Sequence, residues 1–226
     1  MKNGILYLVA TPIGNLGDIS QRAVETLKSV SLIAAEDTRR TKILCQRFEI
    51  RTPLESYHDF SEERKRERLL AVLNEGKSVA LVSDGGSPLI SDPGFKLVRA
   101  AIERGAQVCS IPGPTSVIAA LSVSGFPTDR FIFEGFLPVK SGERKRRMAE
   151  IKEETRTVIY FESPYRLLKT LDDITESLDG RLICVAKELT KQFEEIFRGT
   201  ADEIKQKFGA KTVKGEYVIV VKGMDK

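Results

Sequence analysis

Three acidic segments lie where an apolar run gives way to a polar turn, and open α/β sheets do their chemistry at such strand ends. Residues 81–94, LVSDGGSPLISDPG, run through Asp84 and a turn rich in Gly and Ser to Pro88, then to a second turn ending Asp92-Pro93-Gly94. Residues 35–39, AEDTR, bring out Glu36 and Asp37 after an apolar segment, and Lys187-Glu188 follow the apolar residues 182–186. Carboxylates so placed can accept a proton from a bound molecule or orient it. The same residue types are also the ordinary turn formers, helix caps and ion-pair partners, so each segment taken alone is equally a strand followed by plain turns.

The first apolar run enters a different kind of loop, LYLVATPIGNLGDIS at residues 6–20. Neither G-x-G-x-x-G nor G-x-x-x-x-G-K-[ST] is present, so this is not a phosphate cradle. A Thr11-Pro12-Ile13-Gly14-Asn15 turn offers backbone amides, carbonyls and one apolar side chain, which suits a cofactor without phosphates and equally suits a plain connection. Residues 140–152, KSGERKRRMAEIK, hold six basic residues against two acidic ones. Such a run can neutralise phosphates or simply form the solvated face of a helix. Cys45, Cys109 and Cys184 are far apart among apolar neighbours and lack metal-ligand or redox spacing. No metal site is expected.

The elements that must position these residues alternate strand and helix. Of the 226 residues, 41% are hydrophobic and 30% charged, as in a soluble chain with a full core, and the net charge of +4 favours an anionic partner only weakly. No run approaches the roughly 18 apolar residues that span a bilayer, and a cytoplasmic protein without membrane association is expected. Strands are expected at residues 5–10, 31–35 and 78–82, with helices over 21–28, capped by Asp18 or Ser20, and over 61–74. LNEGKSVALVSDG is echoed by AIERGAQVCSIPG, and repeated helix-strand units imply a mainly parallel sheet. Further strands are expected at 131–134, 158–161, 182–186, 195–198 and 217–221, some of them antiparallel. A helix between them should open with Ser163 as N-cap and Pro164 in its first turn. The expected fold is thus two α/β domains, 1–113 with a mainly parallel sheet and 114–226 with a mixed one.

The segments just quoted, with IPGPTS at residues 111–116, EGFLP at 134–138, FESPYR at 161–166, KELTK at 187–191 and GEYVIVV at 215–221, occur in one order along nearly the whole chain. In this the chain resembles the bacterial 16S ribosomal RNA (cytidine-2'-O)-methyltransferases of the tetrapyrrole-methylase superfamily. The resemblance implies S-adenosylmethionine as methyl donor, held in an interdomain cleft of a class III methyltransferase fold, a homodimer, and a decoding-centre cytidine of 16S rRNA or the small ribosomal subunit as substrate. It implies cofactor contacts from Pro12, Ile13, Gly14, Asp84, Gly85, Gly86, Ser87, Ile90, Thr115, Ser116 and Phe161. For removal of the ribose proton it points to Glu36 or Asp37, with Lys187 and Glu188 orienting the ribose. Phosphate contacts are expected from Arg22, Arg39, Lys140, Arg144, Lys145, Arg146, Arg147 and Arg166. The chain departs from the family pattern at Gly85-Gly86-Ser87, at Thr115-Ser116, in the residues after His58, and at Tyr165 and Phe193, where histidine is usual. Imidazole chemistry is therefore excluded at 165 and 193. Two other readings stand beside this one: a methyltransferase of the same superfamily acting on a tetrapyrrole or a protein side chain, and a noncatalytic RNA-binding assembly factor.

Overall fold

The computed structural model describes residues 3–58, 63–178, 180–209 and 213–225. The chain divides after Thr115 into two compact units. The first carries strands β1 (Ile5–Val9), β2 (Leu32–Ala35), β3 (Leu54–Ser56), β4 (Val79–Val82) and β5 (Gln107–Ile111). They lie in the order β3-β2-β4-β1-β5, and every pairing is parallel. Parallel neighbours need crossovers, supplied by α1 (Gln21–Ser29), α2 (Thr38–Arg47), α3 (Glu63–Asn74) and α4 (Phe95–Glu103). Residues 61 and 62 of the expected 61–74 helix lie outside the described residues. Both sheet faces are covered, which is why the strands are apolar throughout. On β4, Ala80 and Val82 join Leu27, Ile33 and Leu44 on one face, while Val79 and Leu81 join Leu69, Leu73 and Leu97 on the other.

Ser20 caps α1, accepting from the Ala23 N–H at 3.1 Å, whereas Asp18 falls in a short 3-10 turn. After β2 the chain passes through α2 to the edge strand β3. After the neighbouring β4 it passes through α4 to the opposite edge, β5. Connections that leave adjacent strands in opposite directions open a crevice at the strands' carboxyl ends. Glu36-Asp37 and Ser83-Asp84 are the residues at that point.

The second unit carries β6 (Phe131–Phe136), β7 (Thr157–Glu162), β8 (Ile183–Lys187), β9 (Glu195–Gly199) and β10 (Tyr217–Val221) in the order β6-β7-β10-β8-β9. Only β6 and β7 run parallel, so the sheet is mixed. One helix, α5 (Ser116–Ser124), packs on β10 and β8. The others are α6 (Ser141–Glu150), α7 (Leu167–Leu178) and α8 (Ala201–Phe208). Met148, Leu171, Ile174 and Ile204 from these three meet Tyr160, Val185 and Ile219 in one core. Ahead of α7, Ser163 makes the contacts expected of a cap, its Oγ accepting from Tyr165 N at 3.3 Å. The Ser163 carbonyl accepts from the N–H groups of both Arg166, at 3.1 Å, and Leu167, at 3.0 Å, so a tight turn precedes the helix. Among the described residues no helix is long and apolar enough to cross a membrane.

Candidate functional site

Three strand-end turns of the first unit meet at Gly86. Thr11 and Gly86 exchange a backbone pair, with Thr11 N donating to Gly86 O at 3.0 Å and Gly86 N to Thr11 O at 2.8 Å. Thr11 Oγ1 donates to the Ser83 carbonyl at 3.2 Å. Gly86 has φ +88°, and a Cβ there would lie 3.5 Å from Ile13 Cγ2 and 3.9 Å from Pro114 O. A Cβ at Gly85 would lie 3.1 Å from Pro12 O, and one at Gly113 3.1 Å from Ala10 Cβ. Pro12, Ile13, Gly85, Gly86 and Pro114 thus form a rim of backbone carbonyls and amides with one apolar side chain. Gly14, Ser87, Ile90 and Thr115 lie on the same three turns, while Ser116 opens α5 and Phe161 lies near the end of β7, both in the second unit.

Beside this rim the ends of β2 and β4 are cross-tied. Asp84 Oδ1 accepts from the Asp37 N–H at 3.0 Å, and Asp84 N donates to Glu36 Oε2 at 3.4 Å. Arg40 Nη1 stands 3.4 Å from Asp84 Oδ2. Asp37 caps α2, its Oδ1 accepting from Arg39 N at 2.8 Å, and the Arg39 guanidinium grips both carboxylate oxygens. Those bonds hold the Asp37 carboxyl well below the usual carboxylate range. The structure therefore separates the two expected proton acceptors: Asp37 is a paired cap, with Arg39 as its partner. Glu36 is raised, first by burial and then by the Asp84 charge, against the Asp84 N–H and the nearby His58 and Arg40.

Asp92, which in the sequence has only the look of a turn residue, joins this cluster. Burial lifts its carboxyl to about 6, the Ser83 hydroxyl opposes the rise, and Glu36 and Asp84 add to it. Ser83 Oγ is itself buried without a formed hydrogen bond among the described residues. The loop that places Asp92 holds Leu89 at φ +77° and Ser91 at φ +64°, conformations that non-glycine residues adopt at a cost and that cluster at functional sites. Neither residue type signals this in the sequence. Because the folded value of about 6 exceeds the unfolded 3.8, the associated stability is present below the unfolded value and lost as pH rises through the folded one. Asp92→Asn is expected to melt like the wild type near pH ~4 and about 2–4 °C higher at pH ~8, for a cost discounted to ~1 kcal/mol by partial exposure. A difference in melting temperature that does not change with pH would contradict this.

In the second unit, Lys187 and Glu188 are engaged in joining β8 to its neighbours. Lys187 Nζ pairs with Glu195 across β8 and β9. Glu188, at φ +51°, accepts from Lys191 Nζ at 2.8 Å and from the Glu216 N–H at 2.9 Å. Its own N–H donates to Glu216 O at 2.9 Å. Burial opposes ionisation here, but Lys191 and the Glu216 N–H outweigh it and keep the carboxyl below its usual value. Both side chains expected to orient the ribose are thus engaged within the second unit. Gly215, at φ +104°, completes it, since a Cβ there would lie 2.7 Å from Glu188 Cγ. Gly215→Ala is expected to cost about 2–3 kcal/mol in denaturant unfolding. Gly142→Ala, with nothing within 4 Å, is expected to be neutral or to stabilise by ~0.5–1 kcal/mol; equal effects would rule out the Glu188 clash.

The basic residues expected to meet phosphate divide by their partners. The Arg144 side chain is 2% exposed and paired with Asp173, which keeps it from solvent, whereas Arg166 is 19% exposed and pairs with the buried Glu162 at 2.8 Å. The expectation for Arg144 is corrected by its burial. Lys145 is held by Glu176, and Arg147 by Glu134 and Glu150. Arg22, Lys140 and Arg146 remain exposed. A depression of about 770 Å³ beside α2 is lined in part by Arg39, Lys42 and Arg51, but Glu36 and Asp84 are not among its lining residues. Among the described residues no group of acidic, His or Cys side chains is arranged to hold a metal ion.

Residues 5–205 match the family described as Tetrapyrrole (Corrin/Porphyrin) Methylases. The chain is 52% identical over 221 residues to a Synechocystis protein named Ribosomal RNA small subunit methyltransferase I, covering 97% of this chain and 79% of that one. A Thermotoga maritima protein of the same name is 46% identical over 222 residues, covering 98% of this chain and 100% of the relative. Among solved structures, a cobalt precorrin-4 methyltransferase of cobalamin biosynthesis superposes with a TM-score of 0.70 at 18% identity, covering 96% of this chain and 94% of that one. That likeness speaks for the fold.

Proposed function

The chain belongs to the tetrapyrrole (corrin/porphyrin) methylase family, as an S-adenosylmethionine-dependent methyltransferase of small-subunit ribosomal RNA, and on that premise we propose that its acceptor is the ribose 2'-hydroxyl of a decoding-centre cytidine in 16S rRNA. The observation that carries this reading is the partly desolvated Glu36 carboxyl, cross-tied to Asp84 beside a rim of neutral backbone dipoles. A ribose hydroxyl is a weak acid and gains from a positioned base.

The rim fits the cofactor chemically. S-adenosylmethionine carries a sulfonium charge that disappears on transfer, so a carboxylate pressed on it would stabilise the ground state more than the transition state. When bound, it supplies an electrophilic methyl group. Pro12 O, Pro114 O and the Gly85-Gly86 backbone offer neutral dipoles, and Ile13 offers apolar contact. Asp84 Oδ2 faces Arg40 at 3.4 Å and has capacity left for a hydroxyl or amino group. Ser87, Ile90 and Thr115 extend this proposed contact surface. Glu36 takes the 2'-hydroxyl proton, and its raised value places it nearer the working pH than an ordinary carboxylate, which strengthens it as a base. Arg22, Lys140 and Arg146 meet phosphates, and the working form is proposed to be a cytoplasmic homodimer.

The test offers labelled S-adenosylmethionine with three acceptors: small subunits lacking the modification, naked 16S rRNA, and a porphyrinogen. Label is expected in the subunit or its RNA. Label in the porphyrinogen alone would overturn the reading.

A further inference from the structure

Two arginines of the second unit spend their guanidinium groups on one short stretch of backbone. Arg144 Nη1 donates to Pro138 O at 3.1 Å and to Val139 O at 3.0 Å, and Arg166 Nη1 donates to Leu137 O at 3.1 Å. Each arginine is held in turn by a buried carboxylate, Asp173 for Arg144 and Glu162 for Arg166. So much anchoring suits a segment that must not move. Yet only Leu137 of residues 136–139 joins the core. Phe136 is 56% exposed and Val139 77%.

The adjoining turn repeats the pattern. Glu162 accepts from Ser163 N at 2.6 Å and from Thr170 Oγ1 at 2.6 Å, and Ser163 Oγ accepts from Tyr165 N at 3.3 Å. That fixed turn leaves Tyr165 92% exposed. In β6 the register with β7 shifts between Phe133 and Phe136, with Gly135 at φ +70°. A bulge of this kind re-aims a side chain, and Phe136 rests edge-on against Phe161, centroids 5.4 Å apart. Exposed aromatic rings on a pre-ordered backbone are what a stacking partner needs, because little freedom is left to lose on binding.

We propose that Phe136 and Tyr165 form a stacking platform for an unpaired nucleobase of the RNA acceptor, with Lys140 and Arg146 meeting the adjoining phosphates. The inference rests on the reading that the acceptor is RNA. The charge pattern selects single-stranded RNA as the occupant. In the run that follows, Lys140 is 80% exposed in a surface pair with Glu143 at 3.5 Å and Arg146 is exposed, while Arg144, Arg147 and Lys145 are held by closer carboxylates. Aromatic faces with solvent-exposed cations beside them are the pattern of single-strand binding, a surface pair such as Lys140 with Glu143 holds its lysine only weakly, and stacking tolerates any base.

The chain contains no tryptophan, so Tyr165→Trp makes the platform its own reporter. A short single-stranded cytidine oligonucleotide is expected to quench that fluorescence, and an abasic oligonucleotide of the same length is not. Tyr165→Ala and Phe136→Leu are expected to weaken oligonucleotide binding roughly ten- to a hundredfold, Tyr165→Phe by less than about twofold, with S-adenosylmethionine binding unchanged in all. No quenching, or equal quenching by the abasic strand, overturns the platform. So does an alanine variant that keeps RNA affinity but shifts from dimer to monomer on sedimentation, which would make the surface an interface between copies. Methyl transfer by the wild type, run in parallel, separates the two ideas. Transfer to RNA without quenching removes the platform alone, and quenching without transfer to RNA removes the acceptor reading while the platform stands as an RNA contact.

Discussion

Glu36→Gln is expected to lower kcat for methyl transfer by roughly 10²- to 10⁴-fold while S-adenosylmethionine affinity stays within about twofold of wild type. The substitution keeps the shape of the side chain and its bond from Asp84 N, so the strand ends should hold their geometry. What it removes is a carboxylate raised by burial and by Asp84. Because that group acts ionised, wild-type activity should climb as pH rises through its raised value, and the climb should be absent in the variant. Glu36, Asp84 and Asp92 influence one another, so the midpoint belongs to the cluster rather than to one residue. Asp37→Asn provides the contrast. It weakens a cap worth ~1 kcal/mol and should leave kcat within about tenfold. A large kcat loss in Asp37→Asn with Glu36→Gln unaffected would reverse the assignment.

Arg144→Ala is expected to destabilise the second unit by about 3 kcal/mol, because it leaves the buried Asp173 carboxylate with only Ser141 and the more distant Lys145, at 3.7 Å, as partners. The Asp173 side chain is 6% exposed and receives Arg144 Nε at 2.6 Å and Ser141 Oγ at 2.8 Å. Loss of the arginine also frees the carbonyls of Pro138 and Val139. Replacing the pair together, Arg144→Met with Asp173→Leu, should recover much of the loss, since no lone charge remains. Arg146→Ala, two residues along and exposed, should change stability by less than ~0.5 kcal/mol. It should instead reduce the salt slope of RNA binding by about one. Denaturant unfolding and salt-dependent binding separate these outcomes. A stable Arg144→Ala protein with weakened RNA binding would restore the phosphate role that its place in a basic run suggests.

The contrast between Arg144 and Arg146 shows what the sequence can and cannot display. Both sit in ERKRRM, and only the fold brings Asp173, 29 residues away, against one of them. Buried parallel strands such as Val79–Val82 are legible because all four residues are apolar. Helix α2 is not legible in the sequence because TRRTKILCQR buries only Thr41, Leu44 and Cys45, too narrow a stripe to mark a face. The three-residue β3 offers a single apolar side chain. At the site, the strand-end turns could be anticipated from their glycines and prolines, and they do converge on Gly86. The choice between Glu36 and Asp37 could not, because it depends on where α2 begins and on which carboxylate its first N–H groups and Arg39 consume. Asp92 was hidden for a related reason: its environment is made by Glu36 and Asp84 from other strand ends.

The roles proposed for Glu36 and for the rim depend on which acceptor atom takes the methyl group. Small ribosomal subunits lacking the modification would be incubated with the protein and labelled S-adenosylmethionine, the 16S rRNA digested to nucleosides, and the methylated product identified and mapped. The expected result is 2'-O-methylcytidine at one decoding-centre position, formed by the wild type and nearly absent with Glu36→Gln. A methyl group on a base, or on a ribose outside the decoding centre, would contradict it.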